Sequence, residues 1–185
     1  IVYGIDIGVG EYKKLKTNEM LKKYGGERAH PYIGSQDDKK LLHKIGKEVK
    51  EKYGGFDLVI DDGSHINDHV KISFSVLSGY MKTFGKYAVE DVETSYYPEF
   101  KGGPIGTKGT FIDHVKSLID VLNRDYTQGA SFTKKNKQRR DVVKYSIMEN
   151  DNKIWSLNIY PNCVVINFGY DELYIYGGKD GPYFA

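Results

Sequence analysis

The hydrophobic pattern centres on two short apolar segments that each run into a pair of acidic residues. Residues 56–60 (FDLVI) and 86–89 (KYAV) have the length and composition of strands. The four carboxylates that follow them are Asp61, Asp62, Glu90 and Asp91. Between the strands, apolar residues recur at helical spacing, at Val70, Phe74, Leu77 and Met81, with Val76 and Tyr80 beside them. The pattern predicts a strand–helix–strand unit.

This unit brings its acidic residues together. A helical crossover joins parallel strands, and parallel strands have their carboxyl ends at the same edge of the sheet. Carboxylates that lie so close do not all stay ionised without a positive partner, and a divalent cation with oxygen ligands is the usual one. Such ligands favour magnesium over zinc, which prefers more histidine or cysteine. The sequence therefore predicts a magnesium site at this edge.

His65 follows Asp62 by three residues and is the candidate general base. An imidazole titrates near neutrality and can accept the proton of a substrate hydroxyl, and a metal on the same oxygen makes that proton easier to remove. The alternative is a residue at a helix start that is hydrogen-bonded to the backbone. We interpret His69, one turn later, as an exposed helix residue.

The first strand pattern covers residues 1–7 and has two competing interpretations. In one, residues 6–10 (DIGVG) form a glycine-rich nucleotide loop; in the other, the strand is the second of a nucleotide-binding fold and Asp6 binds ribose hydroxyls. Spacing favours ribose binding, because a single helix, over 12–24, precedes the next short strand at 30–33. A third interpretation is a plain turn that contains two glycines.

The segment 34–38 (GSQDD) precedes a helix whose apolar face is Leu41, Leu42, Ile45 and Val49. Ser35 or Asp37 is a candidate N-cap of that helix. A functional interpretation instead places Ser35, Gln36 and Asp37 beside an adenine ring. Both interpretations stay open from sequence alone.

The rest of the chain completes an α/β fold. A loop over 92–109 lies above the crevice as a candidate lid, and a helix with Phe111, Val115, Leu118, Ile119 and Leu122 on one stripe covers a sheet face. Strand patterns at 142–148, 154–160 and 163–168 follow, joined by turns. We predict a mostly parallel sheet with an antiparallel C-terminal edge.

Composition narrows the function classes without selecting one. A length of 185 residues with 39% hydrophobic and 28% charged residues predicts a single globular domain over 1–185, with no membrane insertion. The net charge of +2 does not argue for nucleic acid, although five of the seven residues 134–140 are basic; a solvated loop is predicted there. Cys163 is the single cysteine, which favours a reducing compartment such as the cytoplasm.

Two stretches carry a family resemblance. Residues 56–69 (FDLVIDDGSHINDH) and 89–98 (VEDVETSYYP) resemble the magnesium-dependent sugar O-methyltransferases of macrolide biosynthesis, the mycinamicin type. The resemblance implies a Rossmann-like class I fold that uses S-adenosylmethionine and magnesium to methylate a hydroxyl of a small molecule or sugar. It also implies the site roles: metal ligands Asp62, Glu90 and Asp91, general base His65, ribose contact Asp6, and adenine-side residues Gln36 and Asp37. We predict that Asp61 lies behind the metal ligands or contacts S-adenosylmethionine.

Two departures from the family qualify this prediction. Ser35 stands where the family usually has an acidic residue. The family's first strand and glycine-rich loop would precede Ile1, so we expect 1–185 to be an N-terminally incomplete methyltransferase domain, unless another segment fills the gap. The alternative function is a non-catalytic subunit with the same fold, serving as an interaction surface in a homo-oligomer or larger assembly.

Overall fold

The structure is a computed structural model that describes residues 1–8, 19, 23, 26–122 and 153–169. Three predicted features lie outside the described residues: the helix over 12–24 apart from two isolated positions, the basic segment 134–140, and the strand over 142–148.

Six strands and three α-helices form the described part of the chain. The strands are β1 (Val2–Asp6), β2 (Ala29–Ile33), β3 (Phe56–Asp61), β4 (Met81–Glu90), β5 (Ile154–Tyr160) and β6 (Cys163–Phe168). The helices are α1 (Lys39–Tyr53), α2 (Asn67–Leu77) and α3 (Phe111–Leu122). Short 3-10 turns cover Gly26–Arg28, Ser78–Tyr80, Val92–Tyr96 and Pro98–Phe100.

The pairing of the strands is partly parallel and partly antiparallel. β1 pairs with β2 in parallel, and β3 pairs with β4 in parallel across the predicted crossover. β4 then pairs antiparallel with β6, and β6 with β5, so the second sheet has the order β3-β4-β6-β5. The predicted parallel core with an antiparallel C-terminal edge is confirmed.

The strands are divided between two sheets. Among the described strands, β1 pairs only with β2, and β3 pairs only with β4, so the outer edges of β1 and β3 have no strand partner. Apolar residues of both strands are exposed, with Val2 at 65%, Leu58 at 54% and Ile60 at 58%.

Local signals fix the ends of α1. Asp38 is the N-cap, and its carboxylate accepts hydrogen bonds from the backbone N–H groups of Lys40 and Leu41 at 3.0 and 3.1 Å. The prediction of Ser35 or Asp37 as the cap is wrong, because those two side chains hydrogen-bond each other. Gly54 ends the helix in the left-handed conformation, at φ 82°, as glycine at that position commonly does.

The second half of the crossover differs from its prediction. The α-helix ends at Leu77, and Met81 begins β4. The prediction that Met81 belongs to the helical stripe is therefore wrong. β4 is longer than predicted because its register against β3 shifts between the pairs Phe56–Met81 and Leu58–Lys86. An irregular segment of β4 absorbs the extra residues, with Phe84 at a φ of 66°.

The crossover and α3 share one hydrophobic core. α2 and α3 pack on the four-stranded sheet, where Phe74, Tyr87 and Leu118 are fully buried. The rings of Phe74 and Tyr87 meet edge to face with centroids 5.1 Å apart, a favourable aromatic geometry. In the described part of the chain, no helix has both the length and the apolar character needed to cross a bilayer.

Candidate active site

The turns that follow β2 and β3 are hydrogen-bonded to each other, so the strand ends of the two sheets line one polar edge. The crossover argument predicted the part of this edge that β3 and β4 form. β1 and β2 end side by side, and the backbone N–H of Gly34 donates to the carbonyl of Asp6 at 3.0 Å. The Asp6 carboxylate is exposed and accepts a hydrogen bond from the backbone N–H of Gly8 at 2.6 Å. Asp6 and the turn over 34–37 are therefore neighbours at one end of this edge.

Three predicted site residues converge at the ends of β3 and β4. Ligand atoms of Asp62, His65 and Asp91 all lie within 4.8 Å of one another. His65 Nε2 is 3.6 Å from a carboxylate oxygen of Asp91 and 4.0 Å from one of Asp62. These side chains are accessible, with 23% of His65, 47% of Asp91 and 59% of Asp62 exposed. The group is thus open to a ligand.

The backbone conformation at two of these residues is unusual. His65 has a φ of 58° and Asp91 a φ of 51°, in the left-handed region that costs a residue with a side chain free energy. Each residue sits where a strand end turns toward the next element. Such outliers concentrate at functional sites, because the surrounding structure has to hold them.

The loop after β4 supports His65. The Thr94 hydroxyl donates to the His65 carbonyl at 3.2 Å and to the Asp91 carbonyl at 2.7 Å. The Phe100 ring meets the imidazole edge-on, with centroids 6.2 Å apart. The start of this segment, which was predicted as a lid, therefore packs against His65 and forms one side of the site.

Asp61 is not part of the convergent group. It is buried, at 7% exposed, and its carboxylate accepts hydrogen bonds from Gln36, Ser73 and Tyr87. Burial raises the pKa of Asp61, and the bonds from Ser73 and Tyr87 partly oppose that rise. The prediction that four carboxylates face one crevice is wrong for this residue, because its side chain points into the core.

Gln36 is engaged with the turn that follows β3. Its Oε1 accepts from the Ser64 backbone N–H at 2.8 Å and from the Ser64 hydroxyl at 3.0 Å, while its Nε2 donates to Asp61. Gly63 permits this packing, since a Cβ there would lie 2.4 Å from Gln36 Oε1. The predicted adenine-side residue therefore bridges two strand-end turns.

Ser35 and Asp37 form the outer part of the same turn. The Ser35 hydroxyl donates to one oxygen of Asp37, and His69 Nε2 lies 3.4 Å from the other. The bond from Ser35, aided by His69, lowers the pKa of Asp37. His69 Nδ1 is in turn 3.0 Å from the Ser64 hydroxyl oxygen. The prediction of His69 as a plain exposed helix residue missed this role.

Glu90 stands apart from the other predicted ligands. It is exposed, lies opposite Cys163 in the β4–β6 pairing, and is not one of the three residues whose ligand atoms converge. Its carboxylate adds to the effect of burial in raising the pKa of the Cys163 thiol. Its role as a metal ligand stays a prediction.

Sequence reasoning also missed Asn67, which joins three elements beneath the site. It is 2% exposed; its Oδ1 accepts from the Ser95 hydroxyl and the Phe111 N–H, and its Nδ2 donates to the Phe100 carbonyl. A polar residue at the start of an apolar helix stripe was the available signal. Through these hydrogen bonds, Asn67 holds in place the loop that supports His65.

The convergent group fits a hard divalent cation. The carboxylates of Asp62 and Asp91 offer oxygen ligands from two strand ends, which is the donor chemistry magnesium takes. At the other end of the edge, Asp6 is exposed and has one carboxylate oxygen that can accept from a ribose hydroxyl. The residues present thus fit a divalent cation at the ends of β3 and β4 and a hydroxyl-bearing ligand at Asp6.

Comparison with known proteins finds relatives that this chain matches over part of their length. No protein-family model matches the chain. It is 38% identical over 123 residues to mycinamicin VI 2''-O-methyltransferase of Micromonospora griseorubida, covering 65% of this chain and 27% of that enzyme. It is 35% identical over 167 residues to 8-demethyl-8-alpha-L-rhamnosyl tetracenomycin-C 2'-O-methyltransferase of Streptomyces olivaceus, covering 90% of this chain and 37% of that enzyme.

Solved structures show the same relationship. MycE methyltransferase from the mycinamycin biosynthetic pathway, in complex with Mg and SAH, superposes with a TM-score of 0.68 at 30% identity, covering 92% of this chain and 37% of that one. A complex of MycE with Mg, SAH and mycinamycin VI gives a TM-score of 0.67 at 29% identity. In sequence and in fold, the chain is a relative of the macrolide sugar O-methyltransferases, and it spans about a third of their length.

Proposed function

We propose that this chain forms part of an O-methyltransferase that moves a methyl group from S-adenosylmethionine to a hydroxyl of a small molecule, with magnesium. The observation that carries the proposal is the convergence of Asp62, His65 and Asp91 at the ends of β3 and β4. The relatives support it, since they are named O-methyltransferases and the MycE structures contain Mg and SAH. A sugar hydroxyl is the first candidate acceptor.

In this proposal, His65 is the general base. Its Nε2 faces the crevice between the two carboxylates and takes the proton that the acceptor hydroxyl loses as its oxygen gains the methyl group. Asp62 and Asp91 hold the magnesium, with Glu90 as the predicted third ligand. When bound, magnesium supplies positive charge that makes a nearby hydroxyl easier to deprotonate. Thr94 holds the backbone of His65, and Phe100 packs against the imidazole.

The other end of the edge holds the cofactor in this proposal. Asp6 binds the ribose hydroxyls, and Ser35 and Asp37 lie near the adenine. Gln36 and Asp61 contribute by fixing the strand-end turns, since their polar atoms already bond each other and Ser64. S-adenosylmethionine, when bound, supplies the electrophilic methyl group.

Calorimetric titration of the protein tests the proposal. We expect S-adenosylhomocysteine to bind, and magnesium to bind in its presence. Methyl transfer to mycinamicin VI, as the first acceptor tried, would establish activity. A folded protein that binds neither S-adenosylmethionine nor S-adenosylhomocysteine, with or without magnesium, would contradict the proposal.

A second candidate is a non-catalytic subunit that keeps the fold as an interaction surface. Two observations favour it: the edges of β1 and β3 that have no partner among the described strands, and Ser35 in place of the family's acidic residue. The same titration separates the candidates, because a subunit of this kind is expected to fold without binding the cofactor.

A further inference from the structure

The turn over 34–38 and the turn over 61–65 are tied together by two bridges of side chains. In the first, Gln36 accepts two hydrogen bonds from Ser64 and donates to Asp61. In the second, Asp37 contacts His69, and His69 contacts the Ser64 hydroxyl. Ser64 belongs to both bridges, so it is the point where the two turns meet.

The two turns serve different ends of the proposed site. The first turn follows β2 and lies beside Asp6, on the side where we place the cofactor. The second contains Asp62 and His65 of the convergent group. A shift of either turn therefore has to move the Ser64 contacts or break them.

We propose that Ser64 and His69 are positioning residues that couple the two ends, so that cofactor binding and magnesium binding strengthen each other. The inference rests on the proposed function. Binding of a cofactor against the first turn would hold Gln36 and Asp37 in place, and through them the turn that presents Asp62 and His65. Such coupling is reciprocal by thermodynamic necessity: each ligand must improve the affinity of the other by the same factor.

The geometry favours coupling over a purely structural tie. His69 and Asp37 are part-exposed, with 24% and 37% of their side chains accessible, so their contact is not needed to fill the core. Ser64 is likewise only half-buried. By contrast, the Asp61, Ser73 and Tyr87 cluster beneath is buried and stabilises the turn whichever ligands are bound. Removing Ser64 or His69 side-chain contacts should therefore leave the fold intact.

The test is the dissociation constant of magnesium measured by calorimetry, with and without saturating S-adenosylhomocysteine. For the parent protein we expect the cofactor product to tighten magnesium binding about tenfold. Ser64→Ala and His69→Ala should each reduce that factor to about twofold or less, while the affinity for either ligand alone changes little. Ser64→Ala keeps its backbone bond to Gln36, so it provides a folded variant should His69→Ala be unstable.

His43→Ala is the matched control. His43 is an exposed histidine on α1 that also contacts a hydroxyl, with Nδ1 2.9 Å from the Tyr80 oxygen, but it has no place in either bridge. It should retain the parental coupling factor, and equal loss in this variant would overturn the inference. Parental coupling in both Ser64→Ala and His69→Ala would also overturn it.

The outcome for the parent separates the inference from the proposed function. A parent that binds both ligands without mutual effect contradicts the coupling alone. A parent that binds neither contradicts both.

Discussion

Two neighbouring aspartates at the end of β3 have opposite environments. Asp61 is buried and accepts hydrogen bonds from three side chains, whereas Asp62 has 59% of its side chain exposed and lies 4.0 Å from His65. The buried carboxylate is satisfied by the protein, and the exposed one is available to a ligand. Identical residue types therefore stabilise the turn in one case and are accessible to a ligand in the other.

The strongest test of this comparison is Asp62→Ala. We expect it to remove magnesium binding and magnesium-dependent methyl transfer, because a carboxylate oxygen of the convergent group is lost. The free energy of unfolding should change by no more than about 0.5 kcal/mol, as for other exposed positions. Calorimetry and chemical denaturation measure the two effects. Full activity in the presence of a chelator would show that the metal site is wrongly assigned.

His65→Asn tests the general base with a residue that can adopt the backbone conformation of His65. Asparagine tolerates the left-handed conformation that His65 adopts, at a φ of 58°, better than alanine does. Turnover at saturating acceptor and magnesium should fall on the order of 100-fold, the usual contribution of a positioned general base. Affinity for S-adenosylhomocysteine should be unchanged. Parental turnover would reduce His65 to a helix-start residue, its alternative interpretation.

We expect Asp61→Ala to lower the free energy of unfolding. It leaves the Tyr87 and Ser73 hydroxyls and the Gln36 amide without their shared acceptor, and unsatisfied buried groups of this kind cost about 2 kcal/mol or more. Denaturant unfolding measures the loss. If Asp61→Ala were as stable as the parent while Asp62→Ala were not, the contrast between the two residues would be reversed.

His114 extends the contrast between buried and exposed groups to a histidine. It is 9% exposed and packs against the rings of Phe74 and Phe111; burial, with a smaller effect of Lys71, lowers its pKa from 6.5 to about 4. Because the folded state favours the neutral ring, His114 contributes stability that is fully present above pH 6.5 and is lost as the pH falls toward 4.

The size of this effect is about 2 kcal/mol between about pH 7 and pH 5, from the shift in pKa. Denaturant unfolding across that range should show it, and His114→Leu should flatten the slope by the same amount. An unchanged slope in His114→Leu would place the pH dependence on another group.

The smallest expected effect is that of Tyr87→Phe. This change removes one hydroxyl from the Asp61 cluster and keeps the fully buried ring against Phe74. We expect a loss of about 1 kcal/mol in the free energy of unfolding, the usual contribution of one internal hydrogen bond. Magnesium affinity should not change, because Tyr87 is not part of the convergent group. A large loss of magnesium affinity would mean that the buried cluster also governs the exposed one.

Sequence patterns by themselves determined the crossover unit, the antiparallel edge and the meeting of Asp62, His65 and Asp91. These follow from local rules: helical spacing, strand alternation, and the shared edge of parallel strands. The burial of Asp61 had a partial signal, since alternation places it on the same face of β3 as Val59, and Ser73 is a polar residue on the buried stripe of α2.

Only the tertiary structure decided which polar atoms pair. Gln36 and Ser64 are 28 residues apart, and Asp37 and His69 meet across two elements, so no spacing rule relates them. The early start of β4 and the Asp38 cap likewise depend on the register against β3 and on competing side-chain bonds. Contacts between distant segments are set by how the packed elements align, which local sequence does not contain.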